Sequence, residues 1–357
     1  MSQTRTRAAG EEPGRLGTRP GRRATLHDIA EILGVSEATV SRALRNDPQI
    51  GRRTREAVSL VAAELEYVPN HAARSLAKSA TMTFGLMVPD VVDQLHGLVV
   101  KGFQDVALAR DRAAIVISAF RDVNQEARVF QVFRSFQVDA VALYGAVTDP
   151  RVAAAAVGSV PTVFVGPESV RPTVTKGHPA PTVIQIENED GMAQIVDHVL
   201  GTGRARLSYV NGPDVWTNRV RRQAVAAALE QAGQEPRLRE YPGLASREDY
   251  AEVISTIVRE SPDVLVCYDD TTALNLIALL RQRGVRVPAD IAVTGFDDIP
   301  YAQISNPSLT TVTQPAEYLG RQAATILLDM LDGGPSGVSE DVPLSLVVRE
   351  STGGTVG

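Results

Sequence analysis

From residue 83 onward, short apolar runs alternate with amphipathic helical segments, and this alternation restricts the fold more than any other feature. The runs fall at 84–88, 114–117, 140–143, 162–165, 183–186, 207–210, 264–267 and 291–294. Runs this short, each followed by a helical stretch, build βαβ units with parallel sheets. Such sheets take ligands in the crevice outside the carboxyl ends of their strands. The proline-bearing stretch 172–181 breaks the pattern and reads as an exposed loop.

The first 80 residues have another texture. Residues 1–23 are rich in Gly, Arg, Thr and Pro, with little to bury, and read as a disordered arm. From Ala24 the period is helical. Thr25 is placed to cap a helix with Asp28 three residues on, and Leu26, Ile29, Ala30 and Leu33 share one face. Gly34 ends that helix and Ser36 caps a second, whose inward residues are Val40, Ala43 and Leu44. The triplet Asn46-Asp47-Pro48 breaks it, and a third helix is expected over 54–65. The expected organisation is therefore an arm (1–23), an all-α helix-turn-helix head (24–70), a linker with a short helix (71–82), an α/β body (83–350) and a disordered tail (351–357).

Composition supports this division. Residues 1–80 hold 13 Lys and Arg against 9 Asp and Glu, whereas the remainder holds 23 against 33. A basic head on an acidic body suits a protein that touches phosphates at one end, although an excess this small also arises by chance. Cys267 is the only cysteine, so an internal disulfide is excluded and a reducing compartment is expected. The amino-terminal stretch has no apolar run resembling a secretory signal, and nothing approaches the ~18 apolar residues of a membrane helix. A cytoplasmic protein without membrane partners is expected.

Two short helices joined by Gly34-Val35-Ser36 form a helix-turn-helix pattern, whose second helix enters the major groove of DNA with its N-terminal residues leading. The outward positions of that helix are Glu37, Ala38, Ser41, Arg42 and Arg45. An arginine such as Arg42 reads guanine O6 and N7 in bidentate fashion, Ala38 suits a thymine methyl, and Glu37 suits cytosine N4. The hydroxyls of Thr25, Ser36, Thr39 and Ser41, with Arg53, are placed for phosphates. From spacing alone a generic three-helix bundle fits as well.

The run from Ala24 to Asn46 (ATLHDIAEILGVSEATVSRALRN) strongly resembles the head of the lactose-repressor/galactose-repressor family, as do Thr54-Arg-Glu-Ala-Val, Leu65-Glu-Tyr-Val-Pro-Asn and Ala73-Arg-Ser-Leu. In the body the resemblance rests on Gly191 with His198, Asp269-Asp270-Thr-Thr-Ala, VPADIAVTGFDD ending at Asp298, and PSLTTV from Pro307. It covers roughly residues 24–350. It implies a two-lobed body like that of periplasmic sugar-binding proteins, and a homodimer on palindromic double-stranded operator DNA. It places Glu37, Ala38 and Arg42 at base-reading positions. It makes 71–78 a hinge helix, with Ala73 and Leu76 in the minor groove and Leu76 as the intercalating wedge. Eight residues are too few for an isolated helix, so a partner must order this segment.

For the body, the resemblance implies a small-molecule effector, a sugar or sugar derivative, bound by Arg221 and Asp270. Asp270 follows the 264–267 strand, and on position alone it reads equally as a helix cap. Trp216, Phe164 and Phe296 lie near strand ends as further cleft candidates. Two departures from the family pattern stand out: Ala224 replaces a frequent glycine, and Asp93-Gln94-Leu95-His96 lacks the paired aromatics many members carry. No nucleotide loop, nucleophile elbow or paired metal spacing is present, so neither an enzyme nor a bound metal or cofactor is expected. The adjacent acids Asp269-Asp270 and Asp297-Asp298 read as caps and turns.

Overall fold

The computed structural model describes residues 24–67, 80–166, 181–235, 238–243, 247–337 and 339–354. The arm, the proposed hinge and most of the proline-bearing loop lie outside them. The chain divides into two compact units, Met1–Ser79 and Ala80–Gly357.

Among its described residues the first unit holds three helices, α1 (Leu26–Leu33), α2 (Glu37–Leu44) and α3 (Arg52–Glu64). Thr25 and Asp28 form a reciprocal capping box at the start of α1. Gly34 ends α1 in the left-handed region (φ 63°), where a side chain would be strained, and so frees the chain to turn into Ser36, the cap of α2. Ile29, Val40, Ala43, Val58 and Val61 make the small core. α3 starts two residues before the expected position, with Gly51 as its uncapped boundary.

The second unit carries two parallel sheets. One has the order β11-β5-β4-β3-β1-β2 and the other β7-β6-β8-β9. The first uses β1 (Thr83–Val88), β2 (Ala113–Ser118), β3 (Ala140–Tyr144), β4 (Thr162–Val165), β5 (Thr182–Ile186) and β11 (Ser339–Val342). The second uses β6 (Leu207–Val210), β7 (Arg239–Tyr241), β8 (Val264–Cys267) and β9 (Ala292–Thr294). A short antiparallel ribbon pairs β10 (Thr311–Thr313) with β12 (Ser345–Val347). Helices α4 (Gln94–Ala109), α5 (Val123–Ser135) and α6 (Pro150–Val157) belong to the first lobe. Helices α7 (Asn188–Gly201), α8 (Trp216–Gln231), α9 (Arg247–Glu260), α10 (Asp270–Gln282) and α11 (Pro300–Ile304) belong to the second. After β10 the chain returns to the first lobe, adds α12 (Ala316–Leu331) and β11, and crosses back to β12. Three connections thus join the lobes.

Two expected boundaries are corrected. Thr81 is not linker: its amide and hydroxyl bond Asp139 Oδ1 at 2.7 and 3.0 Å, which fixes it to the body. The tail does not begin at 351. Ser351 and Thr352 are buried in a short 3-10 turn, where the Ser351 hydroxyl donates to the Val293 carbonyl at 2.6 Å and accepts from the Thr310 amide at 2.8 Å. These hydroxyls satisfy backbone groups at the edge of β9, so the body runs on through them.

The returning helix α12 packs on α4 with almost no gap. A Cβ on Gly102 would lie 2.0 Å from the Glu317 carbonyl oxygen, and one on Gly320 would lie 2.0 Å from that of Val99. Since the backbones touch, Gly320→Ala must push the helices apart, at a cost of about 1–3 kcal/mol in urea unfolding. Gly97, also in α4, has nothing within 4 Å of its virtual Cβ. There alanine is expected to stabilise by up to about 1 kcal/mol. Similar effects at the two positions would show that close backbone approach is not what requires Gly320.

Candidate nucleic-acid interface and ligand cleft

In the head, burial of Val40 and Ala43 turns the opposite face of α2 outward. Glu37 and Ala38 are exposed, and Arg42 keeps 39% of its side-chain surface. Glu37 Oε1 meets His27 Nδ1 at 3.0 Å. The Arg42 guanidinium donates from Nε to Asp47 Oδ2 at 2.8 Å and from Nη2 to Gln49 Oε1. The Arg42 contact holds the Asp47 carboxyl below its ordinary range, so the pair stays ionised. The Ser36 hydroxyl accepts from the Thr39 amide at 3.1 Å and sits 2.9 Å from the Thr39 hydroxyl. Thr25 and Ser36 therefore stand at helix N-termini, where amides and dipole favour an anion. Ser41 is half-buried on α2, and Arg53 is exposed in the first turn of α3. Ala73 and Leu76 lie outside the described residues.

In the body, a cavity of about 580 Å³, counted with its open mouth, lies among the loops that follow the strands of both lobes. The first lobe contributes Asp93, His96, Arg121 and Tyr144. The second contributes Trp216, Arg221, Tyr268, Asp269 and Asp297, with Gln314 from the crossing after β10. The loop before α8 is fixed by Asn218, whose Oδ1 accepts from the Tyr209 hydroxyl at 3.2 Å and the Gly212 amide at 3.1 Å.

Arg221 is the best-anchored group in this cavity. It is 3% exposed. Its Nε donates to Asn188 Oδ1 at 2.8 Å, its Nη1 to the Tyr268 carbonyl at 2.7 Å, and its Nη2 faces Asp297 Oδ1 at 3.5 Å. The guanidinium lies 3.7 Å from the Phe296 ring centroid and 4.9 Å from that of Tyr268. The Gln314 amide donates to Asp297 Oδ1. Burial pushes the Asp297 carboxyl up to about 7, against the opposing pull of Arg221. Burial also lowers the basicity of His96. The His96 Nδ1 contacts the Asp90 carbonyl at 2.8 Å; a carbonyl only accepts, so Nδ1 carries the proton and Nε2 is the acceptor.

Of the residues expected in the cleft, Arg221 and Trp216 line it and the other three do not. Asp270 is corrected: it is fully buried, with Oδ1 accepting from the Thr311 hydroxyl at 2.5 Å and Oδ2 from the Ile299 amide at 2.9 Å. Its neighbour Asp269 caps α10 through the Thr272 amide at 2.7 Å and is the one that lines the cavity. Phe164 is also corrected. It packs in the first-lobe core with Met87 and Leu143, because side chains alternate across a buried strand. Phe296 is buried beneath Arg221 and supports that side chain without forming the cavity wall. The 93–96 segment does reach the cavity, through Asp93 and His96, and the lining residues missed include Arg121, Tyr144, Tyr268, Asp269, Asp297 and Gln314. Asp297 carried a signal, its place in the loop that follows β9. Among the described residues no cluster of three or more His, Cys, Asp or Glu could hold a metal, and no helix is long and apolar enough to cross a membrane.

The raised Asp297 group has a thermodynamic consequence. Its native value of about 7 exceeds the ordinary 3.8, so between these values the native state holds a proton that the unfolded chain has released. Its stabilising contribution is therefore complete below about pH 4 and declines as pH rises toward 7. Asp270, also pushed up by burial, acts with the same sign. Asp297→Asn should flatten, without abolishing, the fall in melting temperature between pH 5 and 7. Parallel pH profiles for the two proteins would assign the effect elsewhere.

Comparison with known proteins agrees with these two units. The family described as bacterial regulatory proteins, lacI family, matches residues 25–70, and the periplasmic binding protein-like domain matches residues 196–352. The transcriptional regulator CelR of Thermobifida fusca is 33% identical over 347 residues, which cover 92% of this chain and 98% of that protein. A crystal structure of the Lac repressor dimer bound to operator and the anti-inducer ONPF superposes with a TM-score of 0.80 at 25% identity, covering 93% of this chain and 99% of that one. A complex of CelR with cellobiose gives a TM-score of 0.66 at 28% identity, covering 92% and 100%. The chain carries the head, the body and the order of both throughout its relatives' length, and it belongs to the lacI family of bacterial regulatory proteins.

Proposed function

We propose that the protein is a cytoplasmic transcriptional repressor that binds a palindromic operator as a homodimer and responds to an uncharged polyhydroxyl effector, a sugar or sugar derivative. The observation that carries this reading is the union of an outward α2 face bearing Glu37, Ala38 and Arg42 with a cleft organised on Arg221. Glu37, Ala38 and Arg42 read base edges. Thr25, Ser36, Thr39, Ser41 and Arg53 hold phosphates. The segment 71–78 becomes helical on operator, with Ala73 and Leu76 in the minor groove.

Charge in the cleft favours an uncharged effector. Asp93, Asp269 and Asp297 face two arginines, Arg121 and Arg221, so the lining has no cationic excess with which to collect a phosphate. Asp carboxylates and arginine forks bind vicinal hydroxyls from opposite sides. Trp216, half-buried at the start of α8, offers a flat apolar face for a sugar ring. The relatives fit this reading: one was solved with operator and an anti-inducer, and another with cellobiose.

The test begins with selection of binding sites from a randomised palindromic library by the purified protein, followed by thermal-shift screening of uncharged sugars and sugar phosphates. Arg42→Ala should lose discrimination at one guanine position by about 1–3 kcal/mol, and Arg53→Ala should weaken all sequences alike and reduce the salt slope. Trp216→Ala should abolish or sharply weaken the effector response while operator binding without effector persists. Selection of no palindrome would reject the operator reading. Stabilisation by sugar phosphates but not by neutral sugars would reject the effector class.

A further inference from the structure

We infer that Asp47, supported by Gln49, is a positioning residue that fixes the Arg42 guanidinium for end-on recognition of a single guanine. The inference rests on the operator reading above and adds a specificity determinant outside the reading helix. Asp47 lies beyond the end of α2, in the turn that the sequence marks only as a helix breaker. That turn is tightly tied. The Asp47 amide donates to the Arg42 carbonyl at 3.1 Å, the Ile50 amide to the Asp47 carbonyl at 3.0 Å, and the Gln49 amide to Asp47 Oδ1 at 2.9 Å. Ile50 in turn packs against the head core. The carboxylate is thus held by the backbone, and its second oxygen is aimed at Arg42 Nε.

The geometry of the guanidinium decides what remains. Nε and Nη2 share one edge of the plane, and Asp47 and Gln49 occupy that edge. The end-on edge, with one N–H from Nη1 and one from Nη2, meets no acceptor among the described residues beyond the Gln49 contact of Nη2. A pair of parallel donors is what guanine O6 and N7 accept. With 39% of its side-chain surface exposed, Arg42 is both held and presented. A long side chain already ordered before binding loses less entropy on contact, so the wrong base gains less from an adaptable arginine. An acidic group beside a phosphate-binding face is also unfavourable for DNA in general. Asp47 should therefore raise discrimination without raising overall affinity.

Asp47→Asn separates these roles. An amide oxygen still accepts from the Gln49 amide and keeps the turn, but its NH2 faces Arg42 Nε as donor against donor. The probe is the palindrome selected by the full-length protein, with each base pair substituted in turn. The guanine read by Arg42 is the position where Arg42→Ala loses most discrimination. Asp47→Asn is expected to keep the melting temperature of the head, to bind random DNA equally or more tightly, and to lose about two- to tenfold discrimination at that one position. In the Arg42→Ala background it should change the ratio no further. Gln49→Ala, which leaves the Asp47 turn intact, should act in the same direction more weakly, and it carries the test if Asp47→Asn does not fold. Unchanged discrimination, loss spread over all positions, or loss that persists without Arg42 would each overturn the inference. If no palindrome is selected, the operator reading fails and this inference with it.

Discussion

The cleft depends on one buried cation. Arg221 ties together three chain segments: Asn188 at the start of α7, the Tyr268 carbonyl after β8, and Asp297 after β9. Phe296 and Tyr268 give it apolar and π contact. An arginine removed from water is costly unless its donors find partners, and these three segments each supply one. Around this group the loops acquire fixed positions. Asp297 adopts a backbone φ of 115° and Asp298 one of 55°, values that ordinary residues seldom take. Asp298 is held there by Arg349 at 2.6 Å and by the Thr313 hydroxyl at 2.9 Å. Backbone strain of this kind persists where surrounding contacts over-determine it, often beside a ligand.

Helix and strand identity were legible wherever the hydrophobic pattern was strong. Every apolar run of the βαβ reading became a strand, and the capping residues Thr25 and Ser36 marked helix starts within a residue. The strands that escaped, β7, β10, β11 and β12, are only three or four residues long and include Arg239-Glu-Tyr and Ser339-Glu-Asp-Val. Nothing apolar distinguishes such segments from loops. Their place comes from pairing with distant strands, as β11 pairs with β5.

The cleft was legible in outline and wrong in detail for a similar reason. A strand-end rule finds the neighbourhood of Asp269-Asp270, but adjacent residues at a helix start point about 100° apart. The neighbours Thr311 and Ile299, remote in sequence, pull Asp270 inward and leave Asp269 to cap and to face the cavity. Phe164 and Phe296 show the same limit. Both follow or end strands, yet one fills the first-lobe core and the other lies under an arginine. The Arg42–Asp47 contact was invisible because it spans five residues and a turn, outside the spacings at which helix residues meet.

Two arginine–aspartate pairs therefore serve opposite ends of one chain under opposite physics. The Arg42–Asp47 pair is in water, with 39% and 27% of the two side chains exposed, and an ion pair there adds little to stability. Its value lies in orientation, since what it restrains is the donor fork itself. The Arg221–Asp297 pair is almost dry, with 4% and 11% exposed, and desolvation sets its behaviour. There the carboxyl titrates near neutrality, so charge in the cleft is not fixed by the sequence but by what occupies the cavity. A hydroxylated ligand that donates to Asp297 favours the ionised form and hence the pairing with Arg221. Because Arg221 bridges loops of the second lobe while Gln314 stands on a crossing to the first, that change in charge acts on a connection between lobes. Ligand chemistry and the crossing between the lobes thereby share a single hydrogen-bonded carboxylate.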